Sequence, residues 1–133
     1  MENTLILLVE DHPDDEFLAL RTLEKHQIRN VVVKHSGIEA LDYLFSRGND
    51  AVQQRTEIPK LIILDLRLPC IDGFEFLEAI RADEQTCDIP VVALSSSHYE
   101  RDIKRCRELG VIAYLTKPLD MDEFLKATKK IIW

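Results

Sequence analysis

The chain lacks the features that several classes of protein need. No apolar stretch approaches the roughly 20 residues that cross a bilayer. The N-terminus reads Met1-Glu2-Asn3-Thr4, without the basic segment and small-residue cleavage site of a secretory signal. Neither a membrane span nor a leader is expected, and the chain reads as cytoplasmic. Positive charge is also short. Lys and Arg number 17 against 24 Asp and Glu, for a net charge of −7, and an acidic surface repels phosphate backbones, so direct nucleic-acid binding is not expected. Cysteine is sparse: Cys70, Cys87 and Cys106 are odd in number, far apart and without metal-ligand spacing, which suits free thiols in a reducing compartment. Internal repeats, low-complexity tracts and linker-like boundaries are absent, so residues 1–133 read as a single domain large enough for a real core.

What the sequence does contain is an alternation. Short apolar runs occur at Leu5 to Val9, Val31 to Val33, Leu61 to Leu64, Val91 to Leu94 and Val111 to Leu115. They are continuous rather than alternating, as in strands covered on both faces. Amphipathic segments with helix-start signals separate them. Pro13 before Asp14, Asp15 and Glu16 suits a first helical turn, where proline needs no amide partner and acids favour the positive end of the dipole. Ser36 with Glu39 and Ser97 with Glu100 read as capping boxes; Asp72 with Glu75 and Asp120 with Glu123 are acidic versions. Leu119 and Phe124 are spaced as a hydrophobic staple around the last of these, and Gly110 after Leu109 as a helix stop. Five strands alternating with five helices predict an α/β doubly wound fold: a parallel sheet with helices on both faces, joined by right-handed crossovers. The polar stretch from about Arg47 to Pro59 is predicted to be a surface loop.

The residues that follow the runs share a pattern. The first run ends in Glu10-Asp11, the third in Asp65, the fourth in Ser95 and the fifth in Thr116-Lys117-Pro118. In a doubly wound sheet these positions lie along the carboxyl edge of the strands, where such folds bind ligands. Glu10, Asp11 and Asp65 gathered in one crevice repel one another and raise at least one pKa. A divalent cation removes that conflict, and hard oxygen ligands with open water positions suit Mg2+. The Lys117 ammonium adds a second positive group against a phosphoryl, and Ser95 offers a hydroxyl to one of its oxygens. This set matches in-line phosphoryl transfer onto an aspartate. Asp65 is the preferred nucleophile, since it stands alone at a strand end while Glu10 and Asp11 are paired as metal holders. Each residue taken singly also fits a plainer role. Glu10 and Asp11 suit a solvated loop, Asp65 a turn, Ser95 a polar loop and Lys117 the exposed surface before a proline.

Leu7-Leu8-Val9-Glu10-Asp11, Leu64-Asp65-Leu66-Arg67-Leu68-Pro69 with Asp72-Gly73, Ser95 and Lys117-Pro118 together resemble the CheY-like receiver domains of two-component response regulators, across essentially the whole chain. The resemblance implies a flavodoxin-like (βα)5 sheet in the order 2-1-3-4-5. It implies Asp65 as phosphoacceptor and Glu10, Asp11, Asp65 and the backbone carbonyl of Arg67 around Mg2+. Lys117 matches the lysine that pairs with the phosphoryl, and Ser95 and Tyr114 match a switch pair. Glu10 stands where CheY-like chains carry aspartate, which leaves open whether its metal contact is direct or through water. The implied partner is a sensor histidine kinase. The implied output is a changed surface on the fourth helix, fifth strand and fifth helix, including Tyr99 to Arg107 and Met121 to Trp133, used for partner binding or homodimerisation. The long segment before the third strand and Glu39-Ala40-Leu41-Asp42-Tyr43-Leu44 look like the small stand-alone receivers paired with phytochrome-type kinases.

Three other functions compete. A phosphorylation-independent interaction module on the same scaffold usually loses the acceptor aspartate or the lysine; both are kept here. A flavin binder wants a Ser/Thr/Gly-rich phosphate loop after the first strand, whereas Glu10-Asp11-His12-Pro13-Asp14-Asp15 is acidic. A haloacid-dehalogenase-like phosphatase wants an Asp-x-Asp motif there, which is missing. The chain is therefore expected to be a signalling receiver that catalyses only its own phosphotransfer and dephosphorylation.

Overall fold

The computed structural model describes residues 4–45, 58–68, 71–96 and 99–129. In chain order the elements are β1 (Ile6–Val9), α1 (Pro13–Lys25), β2 (Val31–Lys34), α2 (Gly37–Phe45), β3 (Leu61–Asp65), α3 (Gly73–Arg81), β4 (Val91–Ser95), α4 (Glu100–Glu108), β5 (Ala113–Thr116) and α5 (Met121–Thr128). All five strands are parallel, in the order β2-β1-β3-β4-β5. This is the flavodoxin-like arrangement that the motifs implied.

The continuous apolar runs are explained by two cores, one on each face. Alternate residues point to opposite sides of a strand. Leu7, Val9, Ile62, Leu64, Val91 and Ala93 pack with Ala40, Leu44, Phe76, Leu77, Ile80 and Cys106 beneath α2, α3 and α4. Ile6, Leu8, Leu61, Ile63, Val92 and Leu94 pack with Ala19, Leu23, Met121 and Phe124 beneath α1 and α5. Strands β1, β3 and β4 are buried throughout, while the edge strand β2 is half-buried along its length. The run Val31 to Val33 is therefore covered less completely than its sequence suggested, because β2 lies at the sheet's edge and no strand among the described residues pairs with its outer side.

The helix ends follow their capping chemistry with some departures. Asp72 and Glu75 form the full reciprocal box at α3. Asp120 accepts the Glu123 amide at α5, and the staple pair Leu119 and Phe124 is buried in the same core. At α2, Ser36 Oγ accepts from the Glu39 amide at 3.1 Å, but the Glu39 carboxylate takes the His35 amide at 3.0 Å, one residue earlier than the box prescribes. At α4 the expectation differs from the structure: Tyr99 is the N-cap with no side-chain cap bond, which makes Glu100 the first helical residue. Ser97 lies outside the described residues, as do Cys70, most of the 47–59 segment and residues 130–133. The stop after α4 is a Schellman turn, with Gly110 at φ +78 and the Val111 amide donating to the Cys106 carbonyl at 3.0 Å. Among the described residues no helix is long and apolar enough to cross a membrane.

Candidate functional site

Sheet register brings the strand tips level. Val9 pairs with Leu64, Asp65 with Leu94 and Ser95 with Thr116, so each residue just beyond an apolar run emerges at the same edge. The Glu10 amide continues the ladder to the Lys34 carbonyl at 3.0 Å, and the Lys117 amide donates to the Ser95 carbonyl at 2.8 Å. Backbone hydrogen bonds thus fix the side chains that leave from these positions.

At the floor of the crevice Glu10 is 1% and Asp65 4% exposed, while Asp11 projects into solvent. One oxygen from each converges within 4.8 Å, the single such acidic group among the described residues. The Lys117 ammonium, 13% exposed, is 3.0 Å from Glu10 Oε1 and 3.2 Å from Asp65 Oδ2. The Arg67 amide donates to Asp65 Oδ1 at 3.0 Å, and the His12 amide to Glu10 Oε2 at 3.2 Å. Burial, reinforced by the neighbouring Asp65, pushes the Glu10 carboxyl up to about 7. Burial alone draws the Lys117 ammonium down, but its hydrogen bonds to Asp15 and Glu10 outweigh that and hold it above the ordinary lysine range.

The remaining residues singled out by the sequence are placed differently from one another. Ser95 is buried at the tip of β4. Tyr114 lies half-buried on β5 against the core under α2 to α4. Arg67 reaches sideways, its guanidinium 4.0 Å from Asp102 Oδ2 on α4 and 5.9 Å from the Tyr99 ring centre. Beside the acidic group a cavity of about 800 Å3 opens between the β3–α3 loop and α4, with Asp11, Arg67, Asp72 and Arg101 in its wall. Gly73 permits the close return of the chain under this loop, since a Cβ there would stand 2.7 Å from the Leu66 Cα.

One site residue escaped the sequence reading. Asp15 Oδ2 lies 2.8 Å from Lys117 Nζ, nearer than either Glu10 or Asp65. In the sequence it is one of three consecutive first-turn acids on α1, and nothing local separates it from Asp14.

The donor set is hard and anionic, and it suits a divalent cation: carboxylate oxygens converge on one point, and one of the buried carboxyls carries a raised pKa that a cation would relieve. Fold and crevice together define a doubly wound α/β protein with an acidic, lysine-bearing centre at the carboxyl edge of its sheet. The family follows from comparison with known proteins. The response regulator receiver domain model matches residues 6–129, and the chain belongs to that family, the CheY-like receivers of two-component signalling. It is 35% identical over 128 residues to the response regulator Rcp1 of Synechocystis sp. (strain PCC 6803), covering 96% of this chain and 85% of Rcp1. Among solved structures, the bacteriophytochrome response regulator AtBRR superposes with a TM-score of 0.86 at 42% identity, covering 98% of this chain and 94% of that one. The phosphorylated cyanobacterial phytochrome response regulator RcpA superposes with a TM-score of 0.78 at 37% identity, covering 96% and 90%. The Mn2+-bound form of Rcp1 is also similar, with a TM-score of 0.77.

Proposed function

We propose that residues 1–133 form one receiver domain that accepts a phosphoryl group from a sensor histidine kinase on Asp65, in a cytoplasmic two-component pathway. The observation that carries this reading is the convergence on Asp65 of a lysine ammonium at 3.2 Å, with Glu10 and Asp11 completing an acidic group within 4.8 Å. Glu10, Asp11, Asp65 and the Arg67 carbonyl would hold Mg2+. Bound there, Mg2+ would neutralise charge on the phosphoryl oxygens.

The protein's own groups then have defined tasks. An Asp65 carboxylate oxygen attacks the phosphorus in line, the bond from phosphorus to the donor nitrogen breaks, and its electron pair leaves with the donor. The Arg67 amide keeps the other Asp65 oxygen turned away, through the hydrogen bond it already makes. Lys117 pairs with a phosphoryl oxygen, and Ser95 hydrogen-bonds another. Movement of Ser95 towards the phosphoryl gives Tyr114 room to turn inward, changing the α4–β5–α5 face for partner binding or self-association. That a similar protein is known in a phosphorylated form and another with Mn2+ supports this assignment by analogy. In the test, Mg2+ and acetyl phosphate add one phosphoryl to the intact wild type by mass spectrometry and none to Asp65→Asn. Equal addition to both proteins, or to neither, sinks the assignment.

A further inference from the structure

Asp15 has no task in the transfer just described, yet it makes the closest contact to Lys117. An ammonium carries three N–H donors, and Lys117 Nζ meets three carboxylates: Asp15 at 2.8 Å, Glu10 at 3.0 Å and Asp65 at 3.2 Å. These saturate it. The three are not equivalent. Glu10 and Asp65 belong to the converging acidic group, whereas Asp15 does not. Asp15 also approaches from α1 rather than from a strand tip, and at 33% exposed it lies at the mouth of the crevice rather than on its floor.

A cation drawn into the acidic group claims Glu10 and Asp65 and takes them from Lys117. Asp15 is the partner left to the amine. A phosphoryl on Asp65 can take the two N–H donors so released, but it shares the ammonium's charge and position with Asp15, which holds the third, and it meets the Asp15 carboxylate as a like charge.

We propose, building on the phosphoacceptor reading, that Asp15 is a positioning residue that draws Lys117 away from the metal-holding carboxylates and competes with the phosphoryl group for its ammonium. It thereby eases metal entry and weakens the hold on the phosphoryl. Removing its charge moves two equilibria in opposite directions. Lys117 leans harder on Glu10 and Asp65, so Mg2+ binds more weakly. An ammonium no longer shared with Asp15, together with the lost repulsion, favours a phosphoryl-like anion on Asp65.

The experiment titrates Mg2+ alone, and then the beryllium trifluoride anion at saturating Mg2+ as an equilibrium stand-in for the phosphoryl, each followed by calorimetry. The proteins are the wild type, Asp15→Asn and Asp14→Asn. From the strength of a partly exposed ion pair, Asp15→Asn binds Mg2+ about two- to fivefold more weakly and the fluoride complex about two- to fivefold more tightly. Asp14→Asn loses the same charge from the same helical turn and matches the wild type in both titrations. Parallel shifts in the two titrations, or an Asp15→Asn that behaves like Asp14→Asn, overturn the proposal while leaving the phosphoacceptor reading intact. A wild type that binds the fluoride complex no better than Asp65→Asn overturns that reading and this one with it.

Discussion

Glu10 shows what it costs to place an acid under a sheet edge. Burial beside Asp65 raises its carboxyl from 4.5 to about 7. Since the folded value exceeds the unfolded one, the folded protein binds more protons in that interval. The stability this group contributes is complete below its unfolded pKa and is lost as pH rises through about 7. In EDTA, between about pH 5 and pH 8, wild type should lose up to roughly 3 kcal/mol more unfolding free energy than Glu10→Gln does. Denaturant titration of both proteins at the two pH values measures this, and identical pH slopes would place the titrating group elsewhere. Lys117 tempers the cost without cancelling it, because its charge is divided among three acids.

At the scale of the element, the helix ends show where local chemistry is fully used and where it is not. Both α1 and α4 stop in Schellman turns, with the Ile28 amide donating to the Leu23 carbonyl at 3.0 Å in α1 as the Val111 amide does to Cys106 in α4. In α4 the left-handed residue is Gly110, but in α1 it is Gln27 at φ 62, a conformation in which a side chain costs about 1 kcal/mol or more. Gln27→Gly is expected to stabilise the protein by about 0.5–1 kcal/mol despite the added backbone entropy of the unfolded chain. A shift of the urea midpoint to higher concentration at unchanged slope would confirm it, whereas an unchanged or lower midpoint would show that the turn carries no strain. Arg81 works differently, across elements: its guanidinium donates to the carbonyls of Leu109, Cys87 and Ile89 at 2.8–3.0 Å, binding the end of α3 to the approaches of β4 and β5.

For the whole molecule, the sheet sits between two separate cores, and its acidic groups gather at one edge. A metal that binds the folded edge but not the unfolded chain stabilises everything the sheet holds together. At a hundred times its dissociation constant, Mg2+ should add about 2.7 kcal/mol to the unfolding free energy. Thermal melts in Mg2+ and in Na+ at matched ionic strength measure the gain, which should shrink in Asp65→Asn. A gain equal in the two salts would count against a metal centre.

Much of this protein was legible in the sequence because its determinants are local or periodic. Apolar runs bounded by capping residues marked the strands and helices, and the polar groups ending those runs, Glu10-Asp11, Asp65, Ser95 and Lys117, needed only the topology to fall on one edge. The start of α4 after Tyr99, an exposed residue that makes no side-chain cap bond, was not legible, since several residues in that polar stretch could start a helix. Nor was the division of labour between Asp14 and Asp15. Both are first-turn acids, and only the approach of β5 to α1 across 102 residues of chain sets one of them against Lys117. The sequence by itself determined which groups reach the edge; the tertiary structure decided which of them touch, because a distance between strand tips and a helix start depends on how the layers pack.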